Sequence, residues 1–334
     1  MKSLSSIKRK KILIITHTGC DVDAICAASS LLFTLQKHNK AKTYVPGHIA
    51  LPAKKLAARL KLPYKVVTKP SLSKFDTLLL VDFNDLKMAA GMSEEIQKFK
   101  GQKFLIDHHQ TTKKKIAPEK NSLVNPKAVA SCELVYDWIK KSGLRIDKKI
   151  AACIASGLVT DSAYFLTANA KTFAIMADCL NKSEKTFSGI TKAFAVKQTL
   201  DEKIAKLKAA KRARIYNLSD YLIVTADVGA FEADAASALI KLGADIAFVG
   251  DADEGKVRLS GRASQAILKK EKFGLAKNVF QKLSQKFGGS GGGHAGAAGY
   301  NGKGKDIQPH LEECLNLTKQ FFKKKKGFSF KEYS

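Results

Sequence analysis

The sequence is 334 residues long, 45% hydrophobic, and carries a formal charge of +28. That length and apolar content allow two globular domains with substantial cores, and the apolar runs, such as 12–15 and 78–81, are far too short to cross a bilayer. The charge favours phosphate-bearing partners, but only seven of the 58 basic residues are Arg, and the lysines, including the run Lys323 to Lys326, are spread along the chain as on a solvated surface.

In chain order, apolar runs predict strands over 11–16, 41–45, 64–67, 77–82 and 104–106. Helices are predicted between them over 23–36, 52–60 and 93–99. The small residues Ala24, Ala27, Ala28, Ser29 and Ser30 suit the first helix to close packing on a sheet. Strands alternating with helices predict a parallel sheet. Beyond residue 130 the pattern turns helical, over 132–141, 148–158, 171–180 and 185–196. A polar, Lys-rich helix over 201–214 has little apolar face, as expected of a bridge between domains. The expected division is therefore a first domain at 1–198, a linker helix at 199–218 and a second domain at 219–334. The second domain restarts with a strand at 221–226 and a helix at 231–242 that stops at Gly243. A hairpin follows, strands 245–250 and 256–260 around Asp253, Glu254 and Gly255. A helix over 273–287 then runs into a glycine-rich loop, and a helix over 311–322 closes the chain. The basic run at 8–11 precedes only four apolar residues, too few for a signal peptide. Six scattered cysteines with no Cys-x-x-Cys pair fit free thiols in a reducing cytoplasm.

The chemistry-bearing residues gather where strands end. The first strand runs into His17, Asp21 and Asp23, the fourth into Asp82, and the fifth into Asp107, His108 and His109. A later turn holds Asp161. Carboxylates and imidazoles from four segments, with no thiolate among them, suit hard or borderline ions such as Mn²⁺ or Mg²⁺. None of these loops carries Lys or Arg. Converging acids without cationic side chains would repel, so metal ions are the natural source of compensating charge.

These four segments resemble the metal-binding motifs of the DHH phosphoesterase superfamily. Gly291, Gly292, Gly293 and His294, followed by Ala297, Ala298 and Gly299, resemble the signature of the DHH-associated C-terminal domain. The resemblance covers nearly the full length. It implies an α/β fold: a parallel-sheet N-terminal DHH domain with a helical extension, a linker helix, and a smaller α/β C-terminal domain. It also implies two divalent ions, Mn²⁺ or else Mg²⁺. One would be held by His17, Asp21 and Asp82, the other by Asp23, Asp82, His108 and Asp161, with Asp82 bridging. Two ions about 3.5–4 Å apart can activate a hydroxide at neutral pH and clamp phosphoryl oxygens. Asp107 would orient a neighbouring ligand, and His109 would face the substrate as phosphate contact or proton donor. Ser260 and Arg262 match a position that grips the phosphate or base, for which a planar guanidinium is apt. The glycine run with His294 would bring backbone N–H groups close to a phosphate. The sequence departs from the family pattern at Thr18-Gly19-Cys20, at Ser162-Ala163-Tyr164-Phe165, and at Ser290 inside the glycine run.

Length and layout resemble the oligoribonuclease and adenosine-bisphosphate phosphatase branch. The leading expectation is a two-metal phosphoesterase acting on nucleotides or short single-stranded oligonucleotides. The alternatives are a RecJ-like single-strand exonuclease on longer DNA or RNA, and a non-catalytic nucleic-acid binder. No membrane partner is expected, and a homodimer is left open.

Overall fold

The computed structural model describes residues 4, 7–110, 115–323 and 328–333 of the chain. The part of the lysine run beyond Lys323 lies outside the described residues. The chain divides into two compact units, Met1–Val196 and Lys197–Ser334.

The first unit is built on a six-stranded, wholly parallel sheet. Its strands are β1 (Lys11–Ile15), β2 (Lys40–Pro46), β3 (Lys65–Val67), β4 (Thr77–Val81), β5 (Gln102–Asp107) and β6 (Ser122–Val124), in spatial order β3-β2-β1-β4-β5-β6. Alternation explains why β1 beyond Lys11 and β4 beyond Thr77 are wholly apolar. Ile12, Ile14, Leu79 and Val81 enter one core cluster, whereas Leu13, Ile15, Leu78 and Leu80 enter another on the opposite face. Burying each such side chain contributes about 1.5–3 kcal/mol. The larger cluster holds helices α1 (Val22–Leu35), α2 (Leu51–Leu60), α4 (Ser131–Lys141) and α5 (Lys148–Asp161) against the sheet. The short α3 (Ser93–Lys98) lies on the other side, after a 3₁₀ segment at Leu86–Met92. Alanines on α1 and α5, including Ala24, Ala28, Ala151 and Ala155, are fully buried and let the two axes approach closely. Helices α6 (Ala170–Ser183) and α7 (Phe187–Phe194) complete this unit.

The second unit opens with α8 (Leu200–Lys211) and contains a mixed seven-stranded sheet. Its strands are β7 (Arg214–Leu218), β8 (Tyr221–Asp227), β9 (Ile246–Asp253), β10 (Lys256–Ala263), β11 (Ser290–Gly293), β12 (Ala297–Lys303) and β13 (Phe330–Tyr333). The order is β11-β12-β10-β9-β8-β7-β13, with only β8 and β9 parallel. Helices α9 (Glu232–Leu242), α10 (Gln265–Glu271), α11 (Gln281–Phe287) and α12 (Gln308–Phe322) complete it. One face packs Phe248, Leu259 and Tyr300 on Phe280 and Leu311; the other packs Val224 and Val249 on α8 and α9.

Three local expectations are corrected. The helix expected to reach residue 214 stops at Lys211, and Arg214–Leu218 is a strand whose Tyr216 and Leu218 turn inward. α8 also has a packing partner, because Ala209 is buried in the cluster shared with α9. The glycine-rich segment is not a loop: Ser290–Gly293 is strand β11, paired antiparallel with β12. Its glycines answer a packing demand. A Cβ at Gly291 would stand 2.1 Å from the Phe280 carbonyl oxygen, and one at Gly293 2.6 Å from that of Ala297.

Candidate metal centre

All four chemistry-bearing segments of the first unit arrive at the carboxyl edge of its sheet, where open α/β sheets collect ligands. β1 ends just before His17. Asp21 caps α1, accepting a hydrogen bond from Ala24 N at 3.0 Å, and this places Asp23 in the first helical turn. Asp82 follows β4 in a left-handed conformation, φ +67°. Such backbone is uncommon outside glycine, though Asp tolerates it better than most. Here it is anchored by Asp82 N donating to Ile106 O at 2.9 Å. Asp107 closes β5, with His108 and His109 just beyond. Asp161 sits in the last turn of α5, not in a free turn as expected.

The side chains converge. His17 Nε2 lies 3.5 Å from Asp82 Oδ2 and 3.9 Å from Asp21 Oδ2. His108 Nε2 lies 3.1 Å from Asp161 Oδ2 and 3.5 Å from Asp82 Oδ1. Among the described residues, three groups offer donor atoms within 4.8 Å of one another: His17–Asp21–Asp82, Asp23–His108–Asp161 and Asp82–His108–His109. Asp82 belongs to two of them.

Several residues absent from the sequence expectation hold this set in place. Ser131 N and Cys132 N, at the start of α4, donate to the two oxygens of Asp23 at 2.6 and 3.0 Å. Ser131 Oγ donates to Asp82 Oδ1 at 2.8 Å. Asn84 Nδ2 donates to Asp107 Oδ2 and, at 3.0 Å, to Gln110 O. The resemblance implies that Asp107 orients a neighbouring ligand; the residue it holds is His109, with Nδ1 at 2.8 Å from Asp107 Oδ1. Gly157 completes the cradle. A Cβ there would lie 2.4 Å from Cys132 Sγ and 2.5 Å from Asp23 Oδ1. Asn84, two residues past Asp82, offered a weak sequence signal. Ser131 and Gly157 offered none, because their roles exist only where separate segments meet.

Electrostatically the cluster is short of positive charge. Asp23, Asp82 and Asp107 are buried, and burying carboxylates without compensation is costly. Burial, then repulsion from Asp161 and Asp82, pushes the Asp23 carboxyl well above its usual range. Burial and Asp82 likewise raise Asp21. Burial works against charge on the His17 and His108 rings, yet their carboxylate partners, Asp82 and Asp161 respectively, prevail and push both up to about 9. His109 is raised chiefly by its bond to Asp107. Divalent ions would supply the charge that these protons otherwise provide. The geometry fits such ions: His108 Nε2 is buried between two carboxylate oxygens, at 3.1 Å from Asp161 Oδ2 and 3.5 Å from Asp82 Oδ1. A ring nitrogen pointed between two acids is arranged as a ligand.

Immediately after Asp161 the chain makes an unusual turn. Ala163, Tyr164 and Phe165 are all left-handed, with φ of 49, 57 and 71°, each at a cost of about 1–2 kcal/mol. The turn leaves Tyr164 59% and Leu166 86% exposed, while Phe165 stacks on Phe173 at 5.0 Å between centroids. The departure at 162–165 thus places an apolar, aromatic surface beside the acidic cluster.

In the second unit, Ser260 and Arg262 share one face of β10 with their cross-strand partners Gly299 and Ala297 on β12, and Gly292 of β11 pairs with Gly299. Open space lies over Gly292. Arg258 on the same face is tied to Glu232 and Asp251. Arg262 bonds only the carbonyl of Gly261, at 2.9 Å, and has no ion-pair partner among the described residues. His294 is exposed at the turn joining β11 to β12.

Two family models match the chain in order: the DHH family N-terminal domain over residues 11–158 and the DHHA1 domain over residues 225–324. An uncharacterized protein of Methanocaldococcus jannaschii is 25% identical over 330 residues, covering 96% of this chain and 97% of its own. A probable manganese-dependent inorganic pyrophosphatase of Streptococcus pyogenes is 26% identical over 158 residues, about half of each protein (46% and 48%). Among solved structures, an exopolyphosphatase-related protein from Bacteroides fragilis shares the fold, with a TM-score of 0.62 at 20% identity over 96% of this chain and 94% of that one.

Proposed function

The chain belongs to the DHH superfamily of metal-dependent phosphoesterases, a DHH domain followed by a DHHA1 domain, and from that premise we propose that it hydrolyses phosphate esters of nucleotides or short single-stranded oligonucleotides. One observation carries the reading: Asp82 is shared between donor groups, with His17 and Asp21 on one side and His108 on the other. His17, Asp21 and Asp82 would hold one divalent ion, and Asp23, Asp82, His108 and Asp161 a second. Mn²⁺ is the favoured identity, with Mg²⁺ next, because the donors are oxygen and imidazole nitrogen without thiolate. When bound, such ions supply Lewis acidity toward a phosphoryl oxygen and acidify a water nucleophile.

The rest falls to the chain itself. The α4 amides and Ser131 fix Asp23 and Asp82 before any ligand arrives. Asp107 engages His109 through Nδ1, which leaves Nε2 of a ring 48% exposed to contact the phosphate or protonate the leaving oxygen. The aromatic turn at 163–166 favours a substrate that carries a base over bare pyrophosphate. In the second unit Ser260, Arg262, His294 and the backbone of Gly291, Gly292 and Gly293 would hold the nucleotide; the unpaired Arg262 and the open strip at Gly292 support that role.

Purified protein with Mn²⁺ is assayed against adenosine bisphosphate, dinucleotides, a longer single strand and pyrophosphate. Turnover of the nucleotide substrates, abolished by Asp82→Ala, is expected. Undiminished turnover in that variant refutes the site, and activity confined to pyrophosphate refutes the substrate class. The charge of +28 favours a second reading, a single-strand exonuclease. A length series from two to about thirty nucleotides separates the two readings, because groove binding of longer strands raises kcat/KM with length.

A further inference from the structure

A cavity of the first unit lies apart from the acidic cluster. It has a volume of about 810 Å³ and is walled by Lys11, Lys40, Lys42, Lys65, Lys69 and Lys74. Lys11, six residues before His17, stands roughly 20 Å back along the strand. None of these six side chains has an ion-pair partner among the described residues. Asp76, next to the wall, accepts a hydrogen bond from the backbone N–H of Lys11 at 2.8 Å.

The position of these lysines is unusual for a parallel sheet. Lys40 pairs with Lys11, Lys42 with Leu13, and Tyr44 with Ile15 and Lys65, so all share one face. Over β1, β4 and β5 that face is covered by the apolar cluster around Leu13, Leu78, Phe83 and Met92. Over β2 and β3 the same face carries ammonium groups. Lysine on an edge strand is a common guard against strand pairing, but β2 is an interior strand, bonded to β1 and β3. The cavity also has aromatic walls. Tyr44 and Phe75 meet edge to face at 5.9 Å and are both half-buried, with part of each ring open.

We propose that this cavity is a second, non-catalytic binding site for single-stranded nucleic acid, with backbone phosphates on the lysines and a base against Tyr44 and Phe75. Lysine is a point charge suited to phosphate, whereas a carboxylate-bearing partner would be better met by the fork of Arg, which the cavity lacks. Inorganic polyphosphate would satisfy the lysines but make no use of the rings; a strand uses both. Successive same-face lysines of β2 lie about 6.6 Å apart along the strand, so one extended chain can meet several of them. The site stands independently of the catalytic reading.

The test uses the full chain with metal chelated, so that binding is read without turnover. Fluorescence anisotropy follows a labelled 12-nucleotide single strand across a salt series. The triple charge reversal K40E/K42E/K65E is expected to weaken binding by tenfold or more and to make the log–log salt slope shallower by about two, at about 0.7 for each phosphate no longer neutralised. Tyr44→Ala is expected to weaken the strand on the order of tenfold, as removal of a base–aromatic stack does, and to leave inorganic polyphosphate binding unchanged. K69E/K74E, in the flanking loop, supplies an independent variant if the strand substitutions disturb folding. Mn²⁺-dependent hydrolysis of a dinucleotide is expected to match the unsubstituted protein in every folded variant. Strand binding unchanged by both charge reversals overturns the site. Equal effects of Tyr44→Ala on strand and polyphosphate, or no effect on the strand, overturn the nucleic-acid assignment.

Discussion

Gly157→Ala has a sign that local rules get wrong. Gly157 lies inside helix α5, where replacing glycine by alanine ordinarily stabilises by about 1 kcal/mol. Here the new methyl would meet Cys132 Sγ at 2.4 Å and Asp23 Oδ1 at 2.5 Å, whereas carbon contacts are favourable only near 3.5–4.0 Å. Either α5 withdraws from α1 and α4 by roughly 1 Å, or Asp23 turns away from its amide donors. Overpacking costs about 1–3 kcal/mol and a weakened charge-assisted hydrogen bond about 1.5–3 kcal/mol. Where both costs apply, less the helical gain, the net loss is about 1.5–5 kcal/mol, a fall in Tm of roughly 3–20 °C for a unit of this size. Because Asp23 is one of the proposed ligands, Mn²⁺ affinity measured by calorimetry should fall about 10–100-fold as well. Gly189→Ala in α7, where the nearest side-chain atom lies 3.3 Å away, is the control and should change stability little. A Gly157→Ala protein that melts higher and binds Mn²⁺ normally would show that Asp23 is not wedged where the structure has it.

Four further outcomes are expected. Asn84→Ala leaves Asp107 Oδ2 without its amide donor, so kcat should drop about 10–100-fold while Mn²⁺ affinity holds; an unchanged kcat removes Asn84 as a positioning residue. Arg262→Ala should raise KM for a nucleotide by about 10–100-fold with little change in kcat, the size of a missing bond to a charged group; steady-state kinetics decide. Tyr164→Ala should raise KM for dinucleotides and leave any pyrophosphate turnover untouched, and equal effects on both would dismiss the aromatic turn as a base platform. In chelator, protonated His17 and His108, at about 9 against an ordinary 6.5, stabilise the fold fully below pH 6.5. That contribution is lost as pH rises through about 9, so Tm should decline across the window in chelator and far less in Mn²⁺. A flat profile in chelator contradicts the pairing of those rings with Asp82 and Asp161.

Much of the site was legible because its residues stand where strands stop. An apolar run ending in Asp82, or in Asp107-His108-His109, declares a strand and its carboxyl edge together, and a parallel sheet brings such edges side by side. Asp161 stands out as a residue but reads as part of a turn, because the apolar pattern of α5 ends two residues earlier, at Val159. The glycine run misleads more deeply. Dense glycine looks like a loop when nothing shows that Phe280 presses on it; paired with β12, the same residues form a strand that tolerates no Cβ at Gly291.

The sequence alone determined the alternation of strand and helix in the first unit, the apolar runs that become β1 and β4, and the identity of the acidic and imidazole groups. These follow from periodicity and side-chain chemistry, which are local. Only the tertiary structure decided that Ser131 and the α4 amides clasp Asp23 and Asp82, that Asp107 holds His109, that Gly157 must lack a side chain, and that lysines far apart in the chain wall one cavity. Each of these depends on atoms from segments brought together by packing, and no spacing along a chain encodes a distance across it.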